Sequence, residues 1–255
     1  MKHRLITGLL ALFAIAHAAD IGVSPGRLDL TVPAGEPFVT TISVLTSAGA
    51  DQQIASSRGD WTIDPSGRTL FLPPGSTSTS ASDWIELDAD DFVLPPRSRR
   101  VVRLAIDIPD DAGLEGTYQT VLFFTVVPPP TESRGVGVIT TTRVGLIVYV
   151  TIAGTERAGS ELVDLYQADD RTITAVILNT GNTVMRLGGE IQLRDEAGAV
   201  RHTLEVPDVP VLRESERELT FDLPDDLEPG FYVALALIQD SRGGVLAGEL
   251  PLEVP

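Results

Sequence analysis

The chain has 255 residues, of which 36 are acidic and 19 basic, for a net charge of −17, and it contains no cysteine. That balance argues against nucleic acid and anionic membrane surfaces as partners, since both require basic patches, and the missing cysteines exclude a disulfide framework. Stability must come from apolar cores, and the length suits one large or two ordinary domains.

At the N-terminus, Lys2 and Arg4 precede an apolar run from Leu5 to Ile15, which Ala16-His17-Ala18 closes before Ala19. This reads as a secretory signal over residues 1–18 with an A-x-A cleavage site, the run being shorter than the ~20 residues of a membrane span. We therefore expect an exported, soluble protein with no membrane insertion. Lys2 is the only lysine, and His3 and His17 leave with it, so His202 is the single histidine expected in the mature chain. Lysine Schiff bases, isopeptide staples and histidine-built metal sites are thereby excluded, and no metal or other cofactor is expected.

Along the chain, short alternating or β-branched runs recur: Phe38 to Leu45, Val101 to Ile108, Tyr118 to Val126, Thr172 to Leu178, Glu190 to Arg194 and Phe231 to Ile238. Clusters of Gly, Pro, Asp and Ser separate them, which is the pattern of an all-β sandwich. Residues 73–82, "PPGSTSTSAS", and the stretch "PPPTESRGVG" read as exposed connections, and Trp61 and Trp84 as core residues of the first half. "NTGN", Asn179 to Asn182, has the composition of a hairpin turn.

The run from Gly135 to Ile152, "GVGVITTTRVGLIVYVTI", is β-branched, lacks proline and carries one charge, Arg143. On an open sheet edge such a strand invites aggregation. It must be sealed in a fold or held ready for a partner.

An internal repeat organises these runs. Arg99 to Phe124 and Glu216 to Ile238 each contain an alternating strand, Pro-Asp-Asp, Gly-x-Tyr and a second apolar strand. A tyrosine at that corner is the tyrosine-corner arrangement of immunoglobulin-like sandwiches, which gives Tyr118 and Tyr232 structural roles. The fold expected is all-β, two tandem immunoglobulin-like β-sandwich domains over residues 19–153 and 154–255.

Catalytic signals are weak. The acidic groups Asp88/Asp90/Asp91, Asp110/Asp111 and Asp225/Asp226 sit in connections that face water, and "DADD" lacks the ligand spacing of a calcium loop. No Gly-x-Ser-x-Gly, phosphate-binding loop or zinc spacing occurs, so no enzyme activity is expected.

"VSPGRLDLTVPAGE", Trp61 after a short strand, "FVLPPRSRRVVRLAIDIPDD" and the closing strand "TTTRVGLIVYV" together resemble the N-terminal domain of periplasmic pilus-assembly chaperones, over most of residues 20–152. The resemblance implies that the last strand of the first domain is lent to an incomplete pilin-like subunit, a form of β-augmentation. It places donor side chains at Val136, Val138 and Thr140, and implies an outer-membrane usher as a further partner. It also implies that Arg27 holds the client's terminal carboxylate together with a lysine. That lysine falls at Gly145, and Arg143, two residues earlier on the same face, is the cation available in its place. The donor residues are small and the second half diverges from the family. The alternative is therefore a structural or adhesive envelope protein built of the same modules without chaperone activity.

Overall fold

The computed structural model describes residues 21–110, 113–129 and 141–255. The predicted signal and the predicted donor positions Val136, Val138 and Thr140 lie outside the described residues. Described strands are β throughout, with one short 3₁₀ turn at Ser82–Trp84.

Ten strands build the first sandwich: β1 (Ile21–Ser24), β2 (Arg27–Val32), β3 (Phe38–Thr46), β4 (Gln52–Ile63), β5 (Thr69–Leu72), β6 (Ile85–Leu87), β7 (Asp91–Leu94), β8 (Arg99–Ile106), β9 (Thr117–Val127) and β10 (Arg143–Ile152). They form one sheet in the order β1-β3-β8-β6 and a second in the order β2-β10-β9-β4-β5, with β7 also on β4. Alternation decides the faces: Val102, Leu104 and Ile106 of β8 and Leu146, Val148 and Val150 of β10 point inward to a shared core with Ile42, Leu122 and Phe124. Their odd-numbered neighbours point out, as the period of two requires.

The second sandwich comprises β11 (Ser160–Asp169), β12 (Thr172–Asn179), β13 (Met185–Asp195), β14 (Val200–Glu205), β15 (Pro210–Val211), β16 (Glu216–Asp222), β17 (Gly230–Asp240) and β18 (Val245–Val254). Its sheets run β11-β12-β16 and β14-β13-β17-β18, with β15 on β13. Ile173, Ile177, Ile191, Leu193, Ala236 and Ile238 centre a separate core. The all-β, two-sandwich architecture expected from the repeat is therefore present.

The two repeat tyrosines differ. Tyr232 Oη donates to the Glu228 carbonyl at 2.8 Å, closing its corner. Tyr118 instead packs its ring against Trp84, with centroids 4.5 Å apart, and its hydroxyl makes no return bond among the described residues. Tyr232→Phe should thus lower stability by about 1 kcal/mol, and Tyr118→Phe by less. Chemical denaturation of the two variants beside wild type checks this.

Two connections and one tryptophan depart from their sequence reading. Residues 73–82 are tied down: the buried Asp60 carboxylate accepts from Ser80 Oγ at 2.6 Å, Ser82 Oγ at 2.5 Å and the Thr77 backbone N–H at 3.0 Å. "NTGN" is no hairpin, because β12 and β13 belong to different sheets and the segment must cross between them. Its asparagines satisfy backbone groups instead: Asn179 Nδ2 donates to the carbonyls of Thr183, Val211 and Leu212, while Asn182 Oδ1 accepts from Arg157 N and Asn182 Nδ2 donates to Thr155 O. Finally, Trp61 is buried but stands apart from the first core. It packs with Val121, Phe123, Tyr149 and Leu212, the last from the second sandwich.

Candidate functional site, a cleft between the sandwiches

The outward row of β10 explains why Trp61 is buried on that side. Arg143, Gly145, Ile147 and Tyr149 face away from the first core, alongside Val121 and Phe123 of β9, and the second sandwich brings Arg186 and Pro210 against them. The result is a cavity of about 580 Å³ lined by these residues together with Arg27, Trp61 and Phe71. Arg27 and Arg186 also line an adjoining hollow of about 260 Å³ with Asp29, Tyr149 and Thr151.

Each cation is held differently. Arg27 Nε donates to Asp29 Oδ2 at 2.7 Å at the start of β2. Arg143 lies with its guanidinium carbon 3.5 Å from the Phe123 ring centroid, a cation–π contact, and donates to Ser57 Oγ at 3.3 Å. Arg186 Nε donates to Asp208 Oδ1 at 2.6 Å, and that bond raises the Arg186 pKa while lowering that of Asp208. Burial pushes the Tyr149 phenol up, with the Asp29 charge adding to it, so this hydroxyl stays protonated and can donate. The Trp61 indole Nε1 is buried and has no hydrogen-bond partner.

Arg27 and Arg143, singled out from sequence, thus line one cavity. Gly145 lies between them, and its environment accounts for the absent side chain: a Cβ there would stand 3.1 Å from Val121 and 3.4 Å from the Phe123 ring. Val121 and Phe123 would have to give way before a side chain could start from that position. Arg186 and Tyr149 escaped the sequence reading because nothing around Met185-Arg186 marks them locally, and only the docking of the second sandwich brings Arg186 to β10. Three guanidinium groups and a protonated phenol give this aromatic-walled cleft donors suited to an anionic group such as a carboxylate.

The edge of β10 is the second feature. β2 pairs in parallel with β10 only from Ile147 to Ile152, whereas β9 pairs with it from Arg143 to Thr151. Among the described residues, Arg143 to Leu146 therefore have a strand partner on one side only, at the end nearest residues 136–140 in sequence. Val144, Leu146 and Val148, the row in phase with the predicted donor positions, belong to the first core or pack on it. His202 lies outside the cleft, 3.8 Å from Asp226 on the second sandwich.

No protein-family model matches the sequence, and no curated protein sequence aligns with it significantly. Solved structures do share its fold. The YadV chaperone superposes with a TM-score of 0.52 at 9% identity, covering 91% of this chain and 100% of its own. A chain of the chaperone–tip adhesin complex of CFA/I fimbriae biogenesis gives a TM-score of 0.50 at 11% identity, covering 92% of this chain and 98% of that one. Both matches span the two sandwiches end to end, so the chain has the two-sandwich fold of fimbrial chaperone structures.

Proposed function

We propose that this protein is a non-enzymatic, chaperone-like protein of the periplasm that holds pilin-like or other exported surface subunits by strand donation, with residues 1–18 removed and the two domains meeting at 153/154. The observation that carries the reading is the one-sided edge of β10 from Arg143 to Leu146, which opens beside a cleft rich in arginine. A client strand added at that edge would satisfy main-chain groups left without a strand partner, and Val136, Val138 and Thr140 would supply the side chains it receives. The client's terminal carboxylate would lie in the cleft. Arg27 and Arg143 hold it in this reading, with Arg186 adding the charge that the absent lysine does not. An outer-membrane usher would be the next partner to receive the client.

The alternative, a structural or adhesive envelope protein without chaperone activity, makes a different prediction for the same experiment. Tagged protein purified from its own cell envelope should bring down small β-rich exported subunits, and the combined Arg27→Ala and Val138→Asp variant should lose them. Arg27→Ala alone should weaken capture of a purified client by about tenfold, the scale of one charge-assisted pair. A set of partners unchanged by the combined variant would sink strand donation and favour the structural reading.

A further inference from the structure

The outer faces of two sheets, one on each sandwich, carry exposed apolar side chains framed by opposite charge. On the β1-β3-β8-β6 sheet, Val39, Leu45 and Val101 are 45%, 40% and 55% exposed. Cross-strand register places Leu45 opposite Arg99, Thr41 opposite Arg103 and Ser43 opposite Val101, so the valines and leucine share one face with two arginines. Arg97, in the turn before β8, is also exposed. Arg97, Arg99 and Arg103 take part in no ion pair among the described residues, although the protein is strongly acidic.

The β11-β12-β16 sheet offers the counterpart. Register sets Glu161 opposite Leu178, Asp164 opposite Val176 and Tyr166 opposite Thr174, and on the other side Glu216 opposite Leu178 and Glu218 opposite Val176. Val163, at the bulge, and Tyr166 are 51% and 38% exposed. Glu161, Asp164, Glu216 and Glu218 are exposed around them and take part in no ion pair among the described residues. An apolar centre with a charged rim is the anatomy of a protein interface, and here the two rims differ in sign, the arginines of the first face outnumbering its one carboxylate, Glu86, opposite Ala105.

We infer that these faces dock on each other between copies of this chain, the arginine-framed face of one first sandwich against the carboxylate-framed face of another copy's second sandwich. The contact joins different surfaces, so it is heterologous, and repetition gives a ring or a growing chain rather than a dimer by symmetry alone. The net charge of −17 does not forbid it. At physiological salt the screening length is about 8 Å, which mutes repulsion between whole molecules more than attraction between groups in contact.

Sedimentation equilibrium of the purified protein across a concentration series at about 0.15 M salt tests the proposal. Wild type should self-associate. Arg99→Glu with Arg103→Glu should raise the dissociation constant by about tenfold or more, and so should Glu216→Arg with Glu218→Arg. Combining all four substitutions in one chain should restore association, because the complementary signs are exchanged; this also separates lost contact from lost folding in either pair. A wild type that stays monomeric up to about 1 mM overturns the inference. So does association that either reversed pair leaves unchanged, or that the fourfold variant fails to recover.

Discussion

Asp60→Ala is expected to destabilise the first sandwich by about 3 kcal/mol, read as a lower denaturation midpoint with an unchanged slope, because several charge-assisted bonds converge on this one buried carboxylate. Removing the acceptor takes the partner from the Ser80 hydroxyl and leaves the fully buried Ser82 hydroxyl with Thr120 Oγ1 alone, at 3.0 Å. The loop it secures also pairs with β9, through Ala81 N to Gln119 O at 3.0 Å and Gln119 N to Thr79 O at 2.9 Å. Since β9 neighbours β10, loosening this loop reaches the sheet that forms the cleft.

A pH dependence accompanies it. Burial works to raise the Asp60 pKa, but the bonds from Ser80, Ser82 and Thr77 together outweigh it and hold the pKa below the usual carboxylate value of 3.8. A depressed folded-state pKa means that the contribution is fully present above the unfolded value and is lost as pH falls through the folded one. Wild type should therefore lose stability relative to Asp60→Asn as the pH drops below about 4, and the gap between them should be constant near neutrality. Parallel acid limbs for the two proteins would show that Asp60 is not held as the geometry describes.

Gly116→Ala should cost a comparable amount, about 3 kcal/mol, by a different route: a left-handed backbone combined with overpacking. Gly116 has φ +73°, and a Cβ there would collide with the Asn182 carbonyl oxygen and crowd its side chain. The same few residues join the sandwiches. Gly116 N donates to Thr155 Oγ1 at 2.8 Å, Ile152 N to Gly116 O at 2.9 Å, and Thr117 N to Asn182 O at 2.9 Å. An alanine must push Asn182 away, which breaks the bond bridging first and second sandwich. The expected result is a lowered melting temperature together with a changed small-angle scattering profile. A stable variant with an unaltered profile would mean that the junction tolerates movement at Asn182.

These two residues also mark where a reading along the chain stops. The alternation of β8, Arg99 to Ile106, and of β10 is visible in sequence because a strand's faces follow from its own period of two, and the Gly-x-Tyr repeat announced two sandwiches because it recurs in one chain. Arg27 was legible through the resemblance carried by "VSPGRLDLTVPAGE", and Arg143 as the one charge in the run from Gly135 to Ile152. Arg186 was not, since its importance comes from a partner surface about 40 residues earlier in the chain. Nor were the true work of "NTGN" and the anchoring of residues 73–82. An asparagine that completes a turn and one that bridges two sandwiches have the same composition around them.

Composition, strand periodicity and the repeat thus settle class and modularity, because they depend on solvent contrast and on neighbours within a few residues. Which side of β10 is left open, which arginines converge on one cleft, and which carboxylate is buried depend on sheet order and on the docking of the two sandwiches. Those are long-range pairings, fixed by the packing of whole cores against each other, and no local stretch of residues contains them.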